Sequence, residues 1–255
     1  MMGKKIAIVN QKGGVGKSTT AINLGAALAE YDRQILVVDI DPQGNATSGL
    51  GLAKDEIENS IYDLLLGNAS FAEVLQGTDI PRLKVIPANI DLAGAEIELV
   101  TEISREKRLA RAIDGYYQDF DYILIDCPPS LGILTLNALA AAGKVLVPIQ
   151  CEYYALEGLG QLLDTIQRVR ENVNPKLDLE GVLLTMYDGR TNLSEQVAEE
   201  VKKYFSDKIF ETIIPRNVRL SEAPSFGESI LQYQPRSSGA KAYRELAREV
   251  LANEQ

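Results

Sequence analysis

A glycine-rich stretch near the amino terminus, NQKGGVGKST at residues 10–19, constrains this chain more than any other feature. It follows the β-branched run KKIAIVN and precedes a helical pattern over residues 17–31. Glycine adopts the backbone angles of a tight turn whose N–H groups point inward, and the start of the following helix adds partial positive charge. A loop of this kind between a strand and a helix predicts a phosphate-binding site.

The loop departs by one residue from the general phosphate-loop pattern, G-x-x-x-x-G-K-[ST]. When Gly16-Lys17-Ser18 is aligned with the end of that pattern, Gln11 stands where the first glycine belongs. We expect Lys17 to reach the β- and γ-phosphates and the Ser18 hydroxyl to bind Mg²⁺. The predicted nucleotide-binding residues of the loop are Lys12, Gly13, Gly14, Val15, Gly16, Lys17, Ser18 and Thr19.

Apolar runs alternate with helical patterns along the whole chain of 255 residues. Nearly continuous apolar strands such as QILVVDI are typical of parallel sheets buried on both faces. The pattern predicts an α/β protein with the three-layer P-loop NTPase fold, a twisted, mostly parallel sheet flanked by helices, as one domain over residues 1–255. The predicted strands are 4–10, 34–40, 83–87, 121–126, 144–150, 181–186 and 209–214; the predicted helices are 17–31, 91–117, 130–142, 156–172 and 193–205; residues 51–80 are predicted to form a mobile flap.

Carboxylates follow two of the predicted strands. Asp39 and Asp41 end QILVVDIDPQG, and Asp126 ends DYILID, so both sets fall at the carboxyl edge of the sheet, where open α/β sheets bind ligands. We expect Asp41 to hold Mg²⁺, directly or through water, or to orient the attacking water. Asp126 is predicted to lie in the second coordination shell of the metal, acting through Ser18 or water. Asp39 fits a functional or a loop-supporting role equally well.

The stretch KGGVGKS, Lys12 to Ser18, resembles the deviant Walker A motif of the ParA/MinD class of P-loop ATPases. That resemblance implies that Lys12 crosses a nucleotide-sandwich dimer to the partner's phosphates, and that Asp41 is the aspartate critical for hydrolysis. A cation from a second subunit would stabilise the transition state of phosphoryl transfer and would tie hydrolysis to dimerisation.

The expected base is adenine, and the expected cofactors are therefore ATP and Mg²⁺. The stretch TMYD at residues 185–188 has the frame of the guanine-reading N/T-K-x-D motif but lacks its lysine. The resembling family places adenine against an IPRN turn, which here spans residues 214–217. Pro215 is then expected to pack on the ring face and Asn217 to read its edge.

Longer stretches resemble the ParA/Soj-type chromosome-partitioning branch, among them VVDIDPQGNATSGLG, DCPPSLG and IPRNVRLSEAPSFG. That branch implies an ATP-dependent dimer that binds double-stranded DNA without sequence preference, a ParB-type partner that triggers hydrolysis, and a cytoplasmic, nucleoid-associated location without membrane binding.

The net charge of −10 opposes attraction of the whole molecule to DNA, so a local basic patch is required. Arg190 and Arg219 match the family's DNA-contact positions, and Arg216 and Lys241 extend the predicted patch.

Three alternatives remain open at this point. A MinD-like membrane-positioning ATPase ends in a basic amphipathic helix, but the apolar stripe of GAKAYRELAREVLANEQ is expected to dock on the core. An iron–sulfur ATPase needs paired cysteines in exposed loops, whereas Cys127 and Cys151 stand in apolar contexts. A sequence-specific regulator would carry a helix-turn-helix domain before the ATPase domain, and the first strand is predicted to begin at Lys4.

Overall fold

The computed structural model describes residues 3–153, 158–206 and 208–253. The strands in these ranges are β1 Lys4–Ile8, β2 Ile35–Asp39, β3 Gln76–Gly77, β4 Leu83–Ile86, β5 Tyr122–Asp126, β6 Lys144–Gln150, β7 Asp178–Tyr187 and β8 Ile209–Pro215. They form one sheet in the order β3-β4-β2-β5-β1-β6-β7-β8, in which every neighbouring pair is parallel except β3 and β4. The seven predicted strands are confirmed to within one residue at each end, except that β1 ends two residues earlier and β7 begins three residues earlier than expected; β3 was not predicted.

Helices cover both faces of this sheet and connect its parallel strands. They are α1 Lys17–Glu30, α2 Asn45–Gly49, α3 Ile61–Leu66, α4 Phe71–Val74, α5 Leu92–Glu98, α6 Arg108–Ile113, α7 Ile133–Ala141, α8 Leu159–Asn172, α9 Asn192–Phe205, α10 Val218–Glu222, α11 Ile230–Tyr233 and α12 Ser238–Ala252. Short 3₁₀ turns lie at Lys54–Glu56, Leu99–Thr101, Arg105–Lys107, Tyr117–Asp119 and Ala223–Phe226. The first two residues of the helix predicted at 156–172 lie outside the described residues.

The alternation of side chains along β1 separates the two apolar layers. Ile6 and Ile8 pack into the layer that contains α1 and α12, whereas Ala7 and Val9 pack into the layer that contains α7, α8 and α9. Successive side chains of a strand point to opposite faces, so a central strand must be apolar on both. The predicted three-layer P-loop NTPase fold is thus confirmed.

The prediction of one continuous helix over residues 91–117 is wrong. Helix α5 ends at Glu98, Glu102 is extended with φ −81° and ψ 137°, and Ser104 adopts a left-handed φ of 53° before α6 begins. Ile97 and Ile103 continue the apolar periodicity, but they are exposed at the surface. The apolar periodicity of residues 91–117 therefore does not reflect one helix packed along its whole length.

The segment 51–80 packs on the protein instead of forming the expected flap. Ile61, Phe71 and Val74 are buried in the main apolar cluster. Ser60 and Ser70 each form a capping box that starts a short helix, α3 and α4 respectively. Two fixed helix starts and buried side chains hold this segment against the sheet.

Helix α12 docks on the core, as expected from its apolar stripe. Tyr243, Leu246 and Val250 are buried against α1 and β8. Arg244 reinforces the docking, since its Nε and Nη2 donate to the Glu30 carboxylate at 2.6 and 2.9 Å. Within the described ranges, no helix has the length and apolar character needed to cross a membrane.

Candidate nucleotide-binding site

The glycine-rich loop leaves β1 at the carboxyl edge of the sheet and turns into α1. Gly14 and Gly16 have φ angles of 73° and 91°, which side chains with a Cβ rarely adopt. The loop entrance is fixed by Asn10, whose Nδ2 donates to the Pro148 carbonyl at 2.7 Å and whose Oδ1 accepts from the Lys12 N–H at 2.9 Å. The turn is therefore set by its own glycines and by the neighbouring strand β6.

Lys17 opens α1 and lies inside the loop. Its side chain is buried, and Nζ donates to the Lys12 carbonyl at 3.1 Å. Burial lowers the pKa of Lys17, while Asp126, Cys127 and Asp41 oppose that shift by favouring the charged form. A buried ammonium beside carboxylates is suited to hold a polyanion such as a triphosphate.

The Lys12 side chain points away from this position. Its Nζ is 3.9 Å from Oε2 of Glu152, and the side chain retains 36% of its exposure. The second loop lysine thus lies at the rim of the site, next to an acidic residue, while Lys17 lies within it.

A cleft of about 680 Å³ opens beside the loop. One wall comes from the loop and α1, a second from the segment after β2, and a third from the ends of β7 and β8. The lining residues include Gly13, Gly14, Gly16, Lys17, Ser18, Thr19, Asp41, Gln43, Asn45, Ser48, Pro129, Thr185, Met186, Pro215, Arg216, Asn217 and Tyr243. Of the predicted nucleotide-site residues, Lys12, Val15 and Asp126 are not among these; Val15 and Asp126 are buried.

Asp39 and Asp126 are register partners at the ends of β2 and β5, and both are fully buried. Asp39 accepts three hydrogen bonds, from the Thr47 N–H at 2.8 Å, the Thr47 hydroxyl at 2.7 Å and the Asp41 N–H at 3.1 Å. Burial raises the pKa of Asp39 to about 6 against these bonds. Asp39 therefore organises the loop that carries Asp41, an arrangement that fits the loop-supporting one of its two predicted roles.

Neither oxygen of Asp126 has a hydrogen-bond partner within normal distance among the described residues. Burial raises the pKa of Asp126 well above 3.8, the charges of Asp39 and Asp41 raise it further, and the nearby Ser18 hydroxyl and Lys17 ammonium oppose the shift. A buried acid without a partner is costly and commonly marks a position for an ion or water.

These residues fit a magnesium ion. The described residues contain no cluster of three or more Cys, Asp or Glu side chains able to hold a metal by themselves. Mg²⁺ characteristically uses one or two protein oxygens together with phosphate oxygens and water, so such a cluster is not required. Ser18 would supply its hydroxyl, and Asp126 would act next to it.

The contrast between the two buried acids gives a testable expectation. We expect Asp126→Asn to raise the apo protein's free energy of unfolding by about 1–3 kcal/mol, because it removes a buried carboxyl whose charged form Ser18 and Lys17 offset only in part. Asp39→Asn should lower it by about the same amount, because an amide cannot accept all three hydrogen bonds. Thermal unfolding in EDTA measures both changes.

The gain for Asp126→Asn should be larger at pH 7.5 than at pH 5. A carboxyl whose folded pKa is raised adds stability below its unfolded pKa, and this stability is lost as pH rises towards the folded pKa. A loss of stability in Asp126→Asn at pH 7.5 would show that the carboxylate has partners in the apo protein.

Asp41 lines the cleft on the wall formed by the segment after β2. It is 5% exposed, and its Oδ1 accepts from the Gln43 N–H at 2.9 Å. Lys54 steadies the same loop, since its Nζ donates to the Gln43 carbonyl at 2.8 Å. Asp41 thus has one oxygen engaged in the turn and a position facing the phosphate loop.

Pro215 and Asn217 lie on the cleft wall, where the predicted base site requires them. The side chain of Asn217 also begins α10, because its Oδ1 accepts from the Arg219 N–H at 2.9 Å. Its Nδ2 donates to the Ser238 hydroxyl at 2.9 Å, which links the starts of α10 and α12. Asn217 therefore holds the base-side wall in place whether or not it contacts a base.

The predicted DNA-contact residues lie near the carboxyl ends of β7 and β8, and three of them are in ion pairs. Arg190 donates to both Asp188 oxygens at 2.8 and 2.7 Å, and Arg219 donates to Glu222 at 2.6 Å. The Arg190 guanidinium lowers the pKa of Asp188 to about 2. Lys241 is 3.8 Å from Glu245.

Arg216 differs from the other three. It follows β8 directly, its N–H donates to the Tyr187 carbonyl at 2.9 Å, and it lines the nucleotide cleft. The predicted patch and the nucleotide cleft thus share one residue at their boundary.

Several cleft residues were not among the predicted site residues, and Thr185 and Tyr243 are the two that come from distant elements of the fold. Thr185 ends the buried part of β7, and Tyr243 comes from α12, with its hydroxyl 3.3 Å from that of Thr20. Thr185 is the first residue of the TMYD stretch, but the lysine that this stretch lacks bears only on the choice of base and does not indicate a role for Thr185. Tyr243 carries no local sequence signal, because it reaches the cleft through the docking of a distant helix.

The sequence is similar to known proteins over nearly its whole length. The family model described as an AAA domain matches residues 3–179. The chain is 62% identical over 252 residues to the sporulation initiation inhibitor protein Soj of Bacillus subtilis (strain 168), covering 99% of this chain and 100% of that protein. It is 56% identical over 250 residues to the chromosome partitioning protein ParA of Myxococcus xanthus (strain DK1622), covering 98% and 88%.

A solved structure shares both the fold and the ligands expected here. The crystal structure described as cobyrinic acid a,c-diamide synthase from Mycobacterium smegmatis with bound ADP and magnesium has a TM-score of 0.89 and 43% identity, covering 99% of this chain and 96% of that chain. A second structure of that protein holds an ATP analog and magnesium, with a TM-score of 0.88.

Proposed function

This chain belongs to the Soj/ParA family of chromosome-partitioning ATPases, with ATP and Mg²⁺ as its cofactors, and from that premise we propose how it works. ATP joins two copies into a nucleotide-sandwich dimer, and the dimer binds double-stranded DNA without sequence preference. A ParB-type partner then stimulates hydrolysis, which separates the dimer and releases the DNA.

The placement of the two loop lysines carries this proposal. Lys17 is buried at the phosphate position, whereas Lys12 lies at the rim and points towards Glu152. A cation at the rim is better placed to stabilise charge on a second molecule that meets this face than to stabilise charge in its own cleft. A charge supplied in trans lowers the barrier of phosphoryl transfer only after the dimer has formed.

The remaining residues of the site take complementary roles. Lys17 and the N–H groups of the loop hold the β- and γ-phosphates, and Asp41 orients the attacking water. Ser18 would bind Mg²⁺ with Asp126 in its second coordination shell, and the ion would neutralise phosphate charge. Pro215 packs on adenine and Asn217 reads its edge, in addition to capping α10.

DNA binding is assigned to Arg190, Arg219, Arg216 and Lys241. The basic side chains of these three ion pairs, Arg190, Arg219 and Lys241, are exposed, and exposed pairs contribute little to stability, so DNA phosphates can replace the acidic partners. Contacts to phosphates give affinity without base readout. Because each copy is acidic overall, two patches are needed to hold DNA, and this requirement couples DNA binding to the ATP-bound dimer.

The experiment that tests this function compares DNA affinity in two nucleotide states. Filter binding of a random-sequence duplex is measured with a slowly hydrolysed ATP analogue and with ADP. We expect binding with the analogue and a large loss with ADP. Equal affinity in the two states would contradict the proposed switch.

Replacing the two arginines tests the surface. We expect Arg190→Ala combined with Arg219→Ala to weaken ATP-dependent DNA binding by about tenfold or more, and to lower the slope of log affinity against log salt by about one for each DNA phosphate that is no longer neutralised. Affinity for ATP should stay unchanged. Arg170→Ala is the matched control, because this exposed arginine lies in the last turn of α8, before β7 begins, whereas Arg190 and Arg219 follow the carboxyl ends of β7 and β8. Equal losses of affinity in both variants would remove the assignment.

The membrane-positioning alternative gains no support from α12, because its apolar stripe is already packed on α1 and β8. The proposed DNA binding places the protein on the nucleoid. We treat residues 1–255 as a single ATPase domain, because one sheet runs through the described residues.

A further inference from the structure

Thr185 joins the phosphate loop to a strand that lies two positions away in the sheet. Its side chain is 2% exposed, and its hydroxyl donates to the carbonyl of Val15 at 2.9 Å. The two residues are separated by 170 positions in the sequence. Strand β6 lies between β1, which carries the loop, and β7, which carries Thr185.

The accepting carbonyl lies at the most adaptable point of the loop. Val15 is flanked by Gly14 and Gly16, both with positive φ, and glycine has wide backbone freedom. In a trans peptide the C=O and the following N–H point in opposite directions. Holding the Val15 carbonyl towards Thr185 therefore fixes the direction of the Gly16 N–H, one of the groups available to a phosphate.

Thr185 itself is held firmly. It pairs with Gln150 of β6, and its carbonyl accepts from the Cys151 N–H at 3.1 Å. Met186, the next residue, has a φ of 51° and turns into the cleft wall on the base side. One buried residue thus connects the phosphate-binding loop with the opposite wall of the nucleotide site.

We propose that Thr185 is a positioning residue for nucleotide binding, whose hydroxyl holds the phosphate loop in its binding conformation through the Val15 carbonyl. The proposal rests on the assignment of this loop to ATP and is independent of dimerisation and DNA binding.

The test measures affinity for Mg-ADP with a fluorescent ADP analogue, so that a failure of the sandwich dimer leaves the result unaffected. Thr185→Val removes the hydroxyl and preserves the shape, while Thr185→Ser keeps the hydroxyl and removes the methyl group. We expect Thr185→Val to raise the Kd by about three- to tenfold, the effect of removing one hydrogen bond, and Thr185→Ser to stay near wild type.

Hydrogen exchange distinguishes positioning from general stability. In apo Thr185→Val, the amides of residues 14–18 should exchange faster while those of the β5 core remain protected. Wild-type affinity in Thr185→Val, or equally weak binding in Thr185→Ser, would overturn the proposal. If Thr185→Val does not fold, Thr185→Ala compared with Thr185→Ser makes the same distinction.

Discussion

Lys12→Ala is expected to leave ATP binding by the single subunit nearly intact and to abolish the ATP-dependent dimer. Lys17 and the loop glycines, which remain and line the cleft, are the residues we propose as the subunit's own phosphate site. Loss of a cation supplied in trans should slow partner-stimulated hydrolysis by about 10³-fold, the lower end of what such groups contribute. Light scattering with an ATP analogue measures the mass, and phosphate release measures the rate.

Glu152→Gln is the matched control for this variant. Lys12 lies 3.9 Å from Glu152, so loss of Lys12 also removes an exposed ion pair. If that pair were the purpose of Lys12, Glu152→Gln would reproduce the defect. We expect Glu152→Gln to dimerise and to hydrolyse ATP like wild type, since exposed pairs contribute little. A Lys12→Ala protein that still dimerises with ATP would refute the role in trans.

Asp41→Ala should separate binding from chemistry. We expect it to form the ATP-bound dimer, to remain on DNA, and to hydrolyse ATP about 10²- to 10⁴-fold more slowly, the usual contribution of a group that orients or accepts a proton. Single-turnover hydrolysis measures the rate, and a DNA-retention assay measures the trapped state.

Asp41→Asn distinguishes this role from a structural one. Asp41 accepts from the Gln43 N–H, and asparagine can accept the same bond. An asparagine would therefore preserve the turn while removing the negative charge. Slow hydrolysis in both variants is the expected result, and recovery of the rate in Asp41→Asn would reduce Asp41 to a turn-forming residue.

The sequence was most informative where local chemistry and burial agree. Strands such as β2 are buried on both faces, so their apolar runs ended where the strands end, next to Asp39. The turn of the phosphate loop could also be predicted from the sequence, because the positive φ angles at Gly14 and Gly16 require glycine. These features depend on neighbours in the sequence.

The helix predicted at 91–117 failed for a physical reason. Leu92, Ala95 and Leu99 are buried, whereas Ile97, Val100 and Ile103 fit a helical period but are exposed, so the pattern did not report one continuous buried face. A left-handed residue, Ser104, interrupts the segment, and no glycine or proline marks this break. In residues 51–80 the prediction failed in the opposite direction, because an ordered segment was expected to be mobile. The two capping boxes at Ser60 and Ser70 are visible in the sequence, but the prediction followed the polar composition.

The site depended partly on contacts that sequence order hides. Thr185 and Tyr243 reach the cleft from β7 and α12, and their approach is set by the strand order and by helix docking. The role of Asp39 likewise required its three hydrogen bonds, because two aspartates two residues apart are equivalent in the sequence.

The central claim is that each active site takes Lys12 from the other subunit, and mixing two inactive variants tests it most directly. In a heterodimer of Lys12→Ala and Asp41→Ala, one site combines an intact Asp41 with an intact Lys12 from the other chain. Mixing equal amounts should therefore raise partner-stimulated hydrolysis well above that of either variant alone, to at most about half of the wild-type rate, since one of the two sites in each mixed dimer is complete. A mixture that stays as inactive as either variant alone, under conditions where mixed dimers form, would contradict the account.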